Sequence, residues 1–129
     1  MSGRILLDTN IVIALFAGET AIQKRFAQAA AVFLPSIVLG ELYFGAQKSG
    51  NVEANLMRIE EFAISSSVLT CDSETAKFYG AIKSALLAKG RPIPENDIWI
   101  AAIAQQHRLT LATRDAHFTQ IEALNIETW

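Results

Sequence analysis

The 129-residue chain has one cysteine, three prolines, two histidines and no strong excess of either charge. A lone Cys71 cannot close an internal disulfide, so the fold must rest on its core, and a reducing cytoplasm is the expected compartment. The two histidines and one cysteine form no cluster of the kind that would suggest zinc. No apolar run approaches the length of a membrane span, and Met1-Ser2-Gly3-Arg4 leads into the chain without the apolar stretch of a secretory signal. Repeats, low-complexity tracts and linkers are also missing. The net charge of −2, from 11 basic and 13 acidic residues, excludes a globally basic nucleic-acid binder. It does not exclude a local basic patch, which is what a phosphate backbone responds to.

What is present is apolar residue: 51% of the chain, enough for a well-buried core in a single domain over residues 1–129. Ile5-Leu6-Leu7 is a continuous apolar run that stops at Asp8-Thr9-Asn10, the pattern of a short buried strand ending in turn or cap chemistry. Helices are expected over Ile11–Phe16, Thr20–Ala30, Ile37–Gln47 (capped by Ser36), Glu53–Ala63, Glu74–Lys89 (capped by Asp72 or Ser73) and Ile98–Ala104 (capped by Asn96). In the helix over Glu74–Lys89, Ala76, Tyr79, Gly80, Ile82, Ala85, Leu86 and Leu87 are read as the inward face. Gly90 stands where a C′ glycine belongs, with Pro92 as a stop behind it. Strands are expected at Val32–Leu34, Val68–Cys71 and Leu109–Ala112, with a closing edge strand at Asn125–Trp129. Cys71 is then a small core residue in its strand. Short strands alternating with helices argue for an α/β domain whose parallel sheet of four to five strands is covered on both faces. The helix over Ile98–Ala104 has no polar face in its middle and is expected at the centre.

Four acids stand out by context. Asp8 ends the first strand. Glu41 sits among Ile37, Val38, Phe44 and Gly45 on its helix, where a carboxylate is costly to bury unpaired. Asp97 is expected at the first position of the central helix, and Asp115 closes the loop Thr113-Arg114-Asp115 after the fourth strand. Each has an ordinary explanation as a cap, a helix-dipole partner or a turn residue. In a parallel sheet, however, strand ends and the helix starts that follow them gather at one edge. Three of the acids share that rim, with Glu41 within reach from a neighbouring helix. Carboxylates crowded in this way repel one another unless a cation intervenes, and an all-oxygen donor set suits Mg²⁺ or Mn²⁺. His107 and His117 fall outside this pattern and are read as surface or loop residues.

These pieces, in this order, resemble the PIN-domain family, and most closely its VapC-type ribonuclease toxins of toxin–antitoxin pairs. The resemblance rests on Asp8-Thr9-Asn10, on Ser36 to Leu42 with Phe44-Gly45, and on Ile93 through Asn96-Asp97. It continues with Ile100-Ala101-Ala102 and Ala104, and with Thr113-Arg114-Asp115 and Phe118. It implies a three-layer α/β/α sandwich and metal-dependent hydrolysis of RNA phosphodiester bonds. Asp8, Glu41, Asp97 and Asp115 would hold one or two Mg²⁺ or Mn²⁺ ions, with Thr9, Asn10, Asn96 and Thr113 orienting them. An antitoxin of the VapB type and a homodimer are the implied partners, with Phe16, Tyr43, Phe44 and Trp99 as contributors of apolar surface. Arg114 stands where the family often has Asn, and is read as a contact for a substrate phosphate. Two other readings use the same residues: a DNA-directed nuclease of the same fold, and a non-catalytic binding module. Metal-dependent cleavage of RNA distinguishes all three.

Overall fold

The computed structural model describes residues 3–129. Its elements are β1 (Arg4–Leu7), α1 (Thr9–Phe16), α2 (Thr20–Gln28), β2 (Ala31–Pro35), α3 (Ser36–Gln47), α4 (Val52–Ile64) and β3 (Ser67–Leu69). There follow α5 (Ser73–Ala88), α6 (Glu95–Gln106), β4 (Thr110–Thr113), a 3₁₀ turn (Ala116–Gln120) and β5 (Ile126–Thr128). The five strands form one sheet in the order β3-β2-β1-β4-β5, and every neighbouring pair is parallel. Parallel neighbours need a crossover between them. Helix pairs supply it from β1 to β2, from β2 to β3 and from β3 to β4, giving the three-layer α/β/α sandwich expected of the family.

Strand β1 is central because it is apolar beyond Arg4: Ile5, Leu6 and Leu7 are all fully buried, as a strand covered on both faces must be. Chain order runs outward from β1 through β2 to β3. It then returns through α5 and α6 to β4, on the other side of β1. The sequence of strands therefore reverses between β1 and β4. At such a point the connections leave in opposite directions, and a crevice opens at the carboxyl ends of the two strands. Register fixes what lines it: Leu7 pairs with Ala112, so Asp8 and Thr113 are the next residues out on adjacent strands.

Helix α6 is the most buried helix, with Ile98 and Ile100 through Ala104 all inside. It is tied to α5 at its far end. The Thr75 hydroxyl, fully buried, donates to Gln106 Oε1 at 2.5 Å, and the Gln106 amide donates to Asp72 at 2.9 Å. Of the two caps the sequence offers for α5, Asp72 is the one used, with Ser73 the first helical residue: Asp72 accepts from the Thr75 N–H, and the Thr75 hydroxyl accepts from the Asp72 N–H. Gly90 ends α5 at φ +64, a left-handed conformation that glycine adopts without a Cβ penalty. No helix of the described residues is long and apolar enough to cross a membrane.

The structure corrects several local expectations. Pro94, not Asn96, occupies the cap position of α6, so the helix opens at Glu95 and Asp97 is its third residue. The fixed φ of proline places it well just ahead of a helix, where its missing N–H costs nothing. Pro35 likewise takes the cap position of α3, and Ser36 is the first helical residue. Cys71 lies beyond the end of β3 and is exposed, because β3 is only three residues long and sits at the edge of the sheet. On α5 only Thr75, Ile82 and Leu86 are buried. Leu87 is 59% exposed, and Ala76, Gly80 and Ala85 also face outward. Alanines and a glycine carry little directional information in a periodicity argument, so the inward face of α5 is narrower than the sequence pattern implies.

Candidate active site

Asp8 is the root of the site. It is 5% exposed, one of three buried polar residues among those described. One carboxylate oxygen accepts from the Thr9 N–H at 2.8 Å, which makes Asp8 the cap of α1. The other accepts from the Thr113 hydroxyl at 2.7 Å. Thr113 is buried at the end of β4, and its hydroxyl also accepts from the Asp115 N–H at 3.0 Å. A single hydroxyl thus locks the ends of β1 and β4 and the start of the following loop into one arrangement. The cap role and the site role of Asp8 are not alternatives here: the same carboxylate does both.

Asp115 in turn caps the 3₁₀ turn, accepting from the His117 N–H at 2.9 Å. That turn was not expected from sequence, and it brings His117 into the site. The imidazole Nδ1 lies 3.1 Å from Asp115 Oδ1 and 3.5 Å from Asp97 Oδ2. The reading of His117 as outside the acid pattern is therefore corrected: a two-residue spacing on a tight turn folds it back over the preceding acid. His107, by contrast, follows the last residue of α6, at the end of the helix away from Asp97.

The electrostatics show how closely the acids are gathered. Asp97, with a side chain 14% exposed, has its pKa pushed up to about 6. Burial is the main cause, followed by the charges of Asp8 and Asp115; the contact with His117 opposes them. Asp8 is also held above the ordinary carboxylate value, again chiefly by burial. The hydrogen bonds from Thr113 and Thr9 pull it back, and the charge of Asp115 adds to the rise. Three carboxylates, contributed by β1, α6 and the loop after β4, thus repel one another at the carboxyl edge of the sheet. One oxygen of Asp97, one of Asp115 and a ring nitrogen of His117 all lie within 4.8 Å of one another. Such a donor set fits a divalent cation, which would replace mutual repulsion by shared coordination.

Glu41 joins from α3 in a different way. It is half-buried, and its Oε1 accepts from the Thr9 hydroxyl at 2.9 Å. Thr9 therefore bridges Asp8, through its backbone, and Glu41, through its side chain. The expected cost of burying Glu41 is lowered because its helix stripe is incomplete: Phe44 is 62% exposed and Gly45 is also open to solvent.

The remaining expected residues divide. Asn10 accepts from the Arg114 N–H at 3.3 Å and so steadies the loop between Thr113 and Asp115. Asn96 is exposed on the first turn of α6 and has no hydrogen bond to these acids among the described residues. Arg114 does not face the site. Its guanidinium pairs with both oxygens of Glu19 at 2.7 and 3.2 Å, and its Nε donates to the Trp129 carbonyl at 3.0 Å. With these donors engaged, Arg114 is a clamp between the β4 loop, the start of α2 and β5, rather than a phosphate contact.

A three-layer parallel α/β domain with an acid-lined crevice at its switch point is the class that fold and site define. Comparison with known proteins places it further. The PIN-domain family model matches residues 5–124. Ribonuclease VapC2 of Haemophilus influenzae is 38% identical, with 98% of each chain covered. The tRNA(fMet)-specific endonuclease VapC of Shigella flexneri is 33% identical over 98% of each. Among solved structures, DNA-bound VapBC from Salmonella typhimurium superposes with a TM-score of 0.89 at 32% identity, covering 98% of each chain. VapBC2 from Rickettsia felis, bound to a DNA fragment from its promoter, gives 0.89 at 27% over the same share. The chain belongs to the PIN-domain family, in its VapC group.

Proposed function

We propose that this chain is a metal-dependent endoribonuclease, the toxin of a toxin–antitoxin pair, and that Asp8, Glu41, Asp97 and Asp115 hold its Mg²⁺ or Mn²⁺. The observation that carries the proposal is the mutual crowding of Asp8, Asp97 and Asp115 at the carboxyl edge of the sheet, with Asp97 raised to about 6. A carboxylate cluster that pays such a cost without a cation is built to receive one. Oxygen donors from acids suit a hard ion. The relatives named as ribonucleases and as a tRNA-specific endonuclease support RNA as the polymer.

When bound, the ion supplies a nucleophile at neutral pH and stabilises charge on the phosphoryl and leaving oxygens. The rest falls to this chain's residues. Thr113 and the Thr9 N–H fix both oxygens of Asp8, so its remaining lone pairs point in set directions. Thr9 holds Glu41 in register with Asp8. Asp97, with its pKa raised to about 6, keeps a proton over part of the population near that pH, a proton it would give up in holding a cation. Burial of Asp8 and the apolar body of α6 behind Asp97 keep bulk water from the back of the site.

The solved VapBC complexes support a VapB-type antitoxin as partner. So does an open apolar groove of about 300 Å³ between α1, α3 and α4, lined in part by Ile13, Phe16 and Glu41, with Ile13 and the nearby Phe44 largely exposed. A homodimer and a cytoplasmic location complete the proposal. The test is incubation of total RNA with antitoxin-free protein in Mg²⁺, in EDTA, and with Asp8→Asn. Discrete fragments that require Mg²⁺ and disappear in the variant are the expected result. Folded, antitoxin-free protein that leaves RNA intact in both Mg²⁺ and Mn²⁺ would overturn it.

A further inference from the structure

His117 has two sides. Its Nδ1 faces Asp115 and Asp97, yet the side chain is 54% exposed, and the residue also lines a second space. That space is an open cleft of about 300 Å³ bounded by Arg91, Pro92, Ile93, Ala116, His117 and Gln120. Its walls are the connection between α5 and α6 on one side and the 3₁₀ turn on the other. The cleft is thus continuous with the acid cluster through a single imidazole.

Its chemistry is the opposite of the cluster's. Arg91 is exposed, and its guanidinium has no acid partner and no hydrogen bond among the described residues; only its backbone N–H is engaged, to the Leu86 carbonyl at 2.9 Å. The other arginines facing acids or carbonyls, Arg25, Arg58 and Arg114, are already committed. Pro92 and Ile93 give the cleft an apolar wall, and Gln120 lines it from the 3₁₀ turn alongside His117. A cation, a ring nitrogen and an apolar face around an open cleft suit a nucleotide, with its phosphate on the charged side and its base or sugar on the apolar side.

We propose that this cleft is a substrate subsite: it takes a nucleotide of single-stranded RNA next to the scissile phosphate, with Arg91 on a phosphate and His117 between that nucleotide and the acids. The proposal rests on the nuclease reading above. It answers a problem that reading creates, since an acidic centre repels the polymer it must cut. A fixed cation beside the site offsets that repulsion locally, in a chain whose net charge is −2.

The test measures binding of a labelled, random-sequence 12-nucleotide RNA by fluorescence anisotropy in Mg²⁺, at several salt concentrations. Asp8→Asn is the background throughout, so that binding is separated from cleavage. Arg91→Ala is expected to weaken binding about three- to tenfold and to lower the salt slope by about 0.7, the value of one lost single-strand phosphate contact. His117→Gln is expected to weaken it by a similar factor. Arg108→Gln should leave both unchanged, since Arg108 does not line the cleft and lies beyond the other end of α6, a helix about 18 Å long at roughly 1.5 Å per residue. An Arg91→Ala protein with unaltered affinity and salt slope would overturn the subsite, as would no detectable binding in the parent. Cleavage of total RNA by the wild-type protein is scored separately, so failure of the nuclease reading and failure of the subsite give different results.

Discussion

Replacing Asp97 by Asn should stabilise the metal-free protein at neutral pH, although it removes a proposed metal ligand. Asp97 has its pKa raised from 3.8 to about 6, by burial first and then by Asp8 and Asp115. Its ionised form is therefore disfavoured in the folded state by about 3 kcal/mol, at roughly 1.4 kcal/mol per pH unit. The sign follows from proton counts. Between pH 4 and 6 the folded state holds the proton that the unfolded state has lost, so stability falls as pH rises through this window. Above about pH 6 the full penalty is present; below about pH 4 it is absent. An asparagine carries no such penalty and keeps nearly the same shape. Thermal unfolding in EDTA at pH 7.5 should show the variant more stable by up to about 3 kcal/mol, on the order of 10 °C in Tm for a chain of this size. The gap should close as the pH is lowered towards 4. In saturating Mg²⁺ the order should reverse, because only the wild type gains the full linkage energy of the bound ion. A variant less stable than wild type at pH 7.5 in EDTA, or a gap that ignores pH, would refute the crowding argument on which the metal site rests.

Thr113→Val removes the hydroxyl that joins Asp8 to the Asp115 backbone; a cost of about 1–3 kcal/mol is expected in urea unfolding, with Mg²⁺ affinity by calorimetry lowered about 10- to 100-fold. Thr9→Val should spare stability more, since Glu41 can turn to water, but cleavage of RNA should fall by about tenfold as Glu41 loses its tether. Asp72→Ala breaks the α5 cap and its bond to Gln106, and should cost about 1–2 kcal/mol with Mg²⁺ affinity unchanged. Ile103→Ala opens a hole in fully buried α6 and should cost about 2–5 kcal/mol in the same unfolding assay.

Much of the architecture was legible because it is written in periodicity and punctuation. The run Ile5-Leu6-Leu7 is the central strand, the Asp72 cap and Gly90 bound α5, and the apolar stretch behind Asp97 is the most buried helix. The four acids could be singled out because each interrupts or ends an apolar pattern. Local details that depend on one residue's conformation were less accessible. Pro94, not Asn96, takes the cap position of α6, and the short edge strand β3 leaves Cys71 outside the core. Neither outcome changes the hydrophobic pattern, so the pattern could not report it.

Sequence alone determined which residue types stand where: apolar strands that need cover on both faces, and carboxylates at or near the strand ends. Tertiary structure decided how they meet. Only the strand order β3-β2-β1-β4-β5 puts Asp8 and Thr113 side by side, 105 residues apart in the chain. Only the 3₁₀ turn after Asp115 carries His117 back over the acids, and only the packing of β5 and α2 draws Arg114 away from them. The physical reason is that a hydrogen bond or an ion pair is set by distances of a few ångströms. Those distances depend on how whole elements pack, whereas the apolar pattern of an element reports mainly which of its faces can be buried.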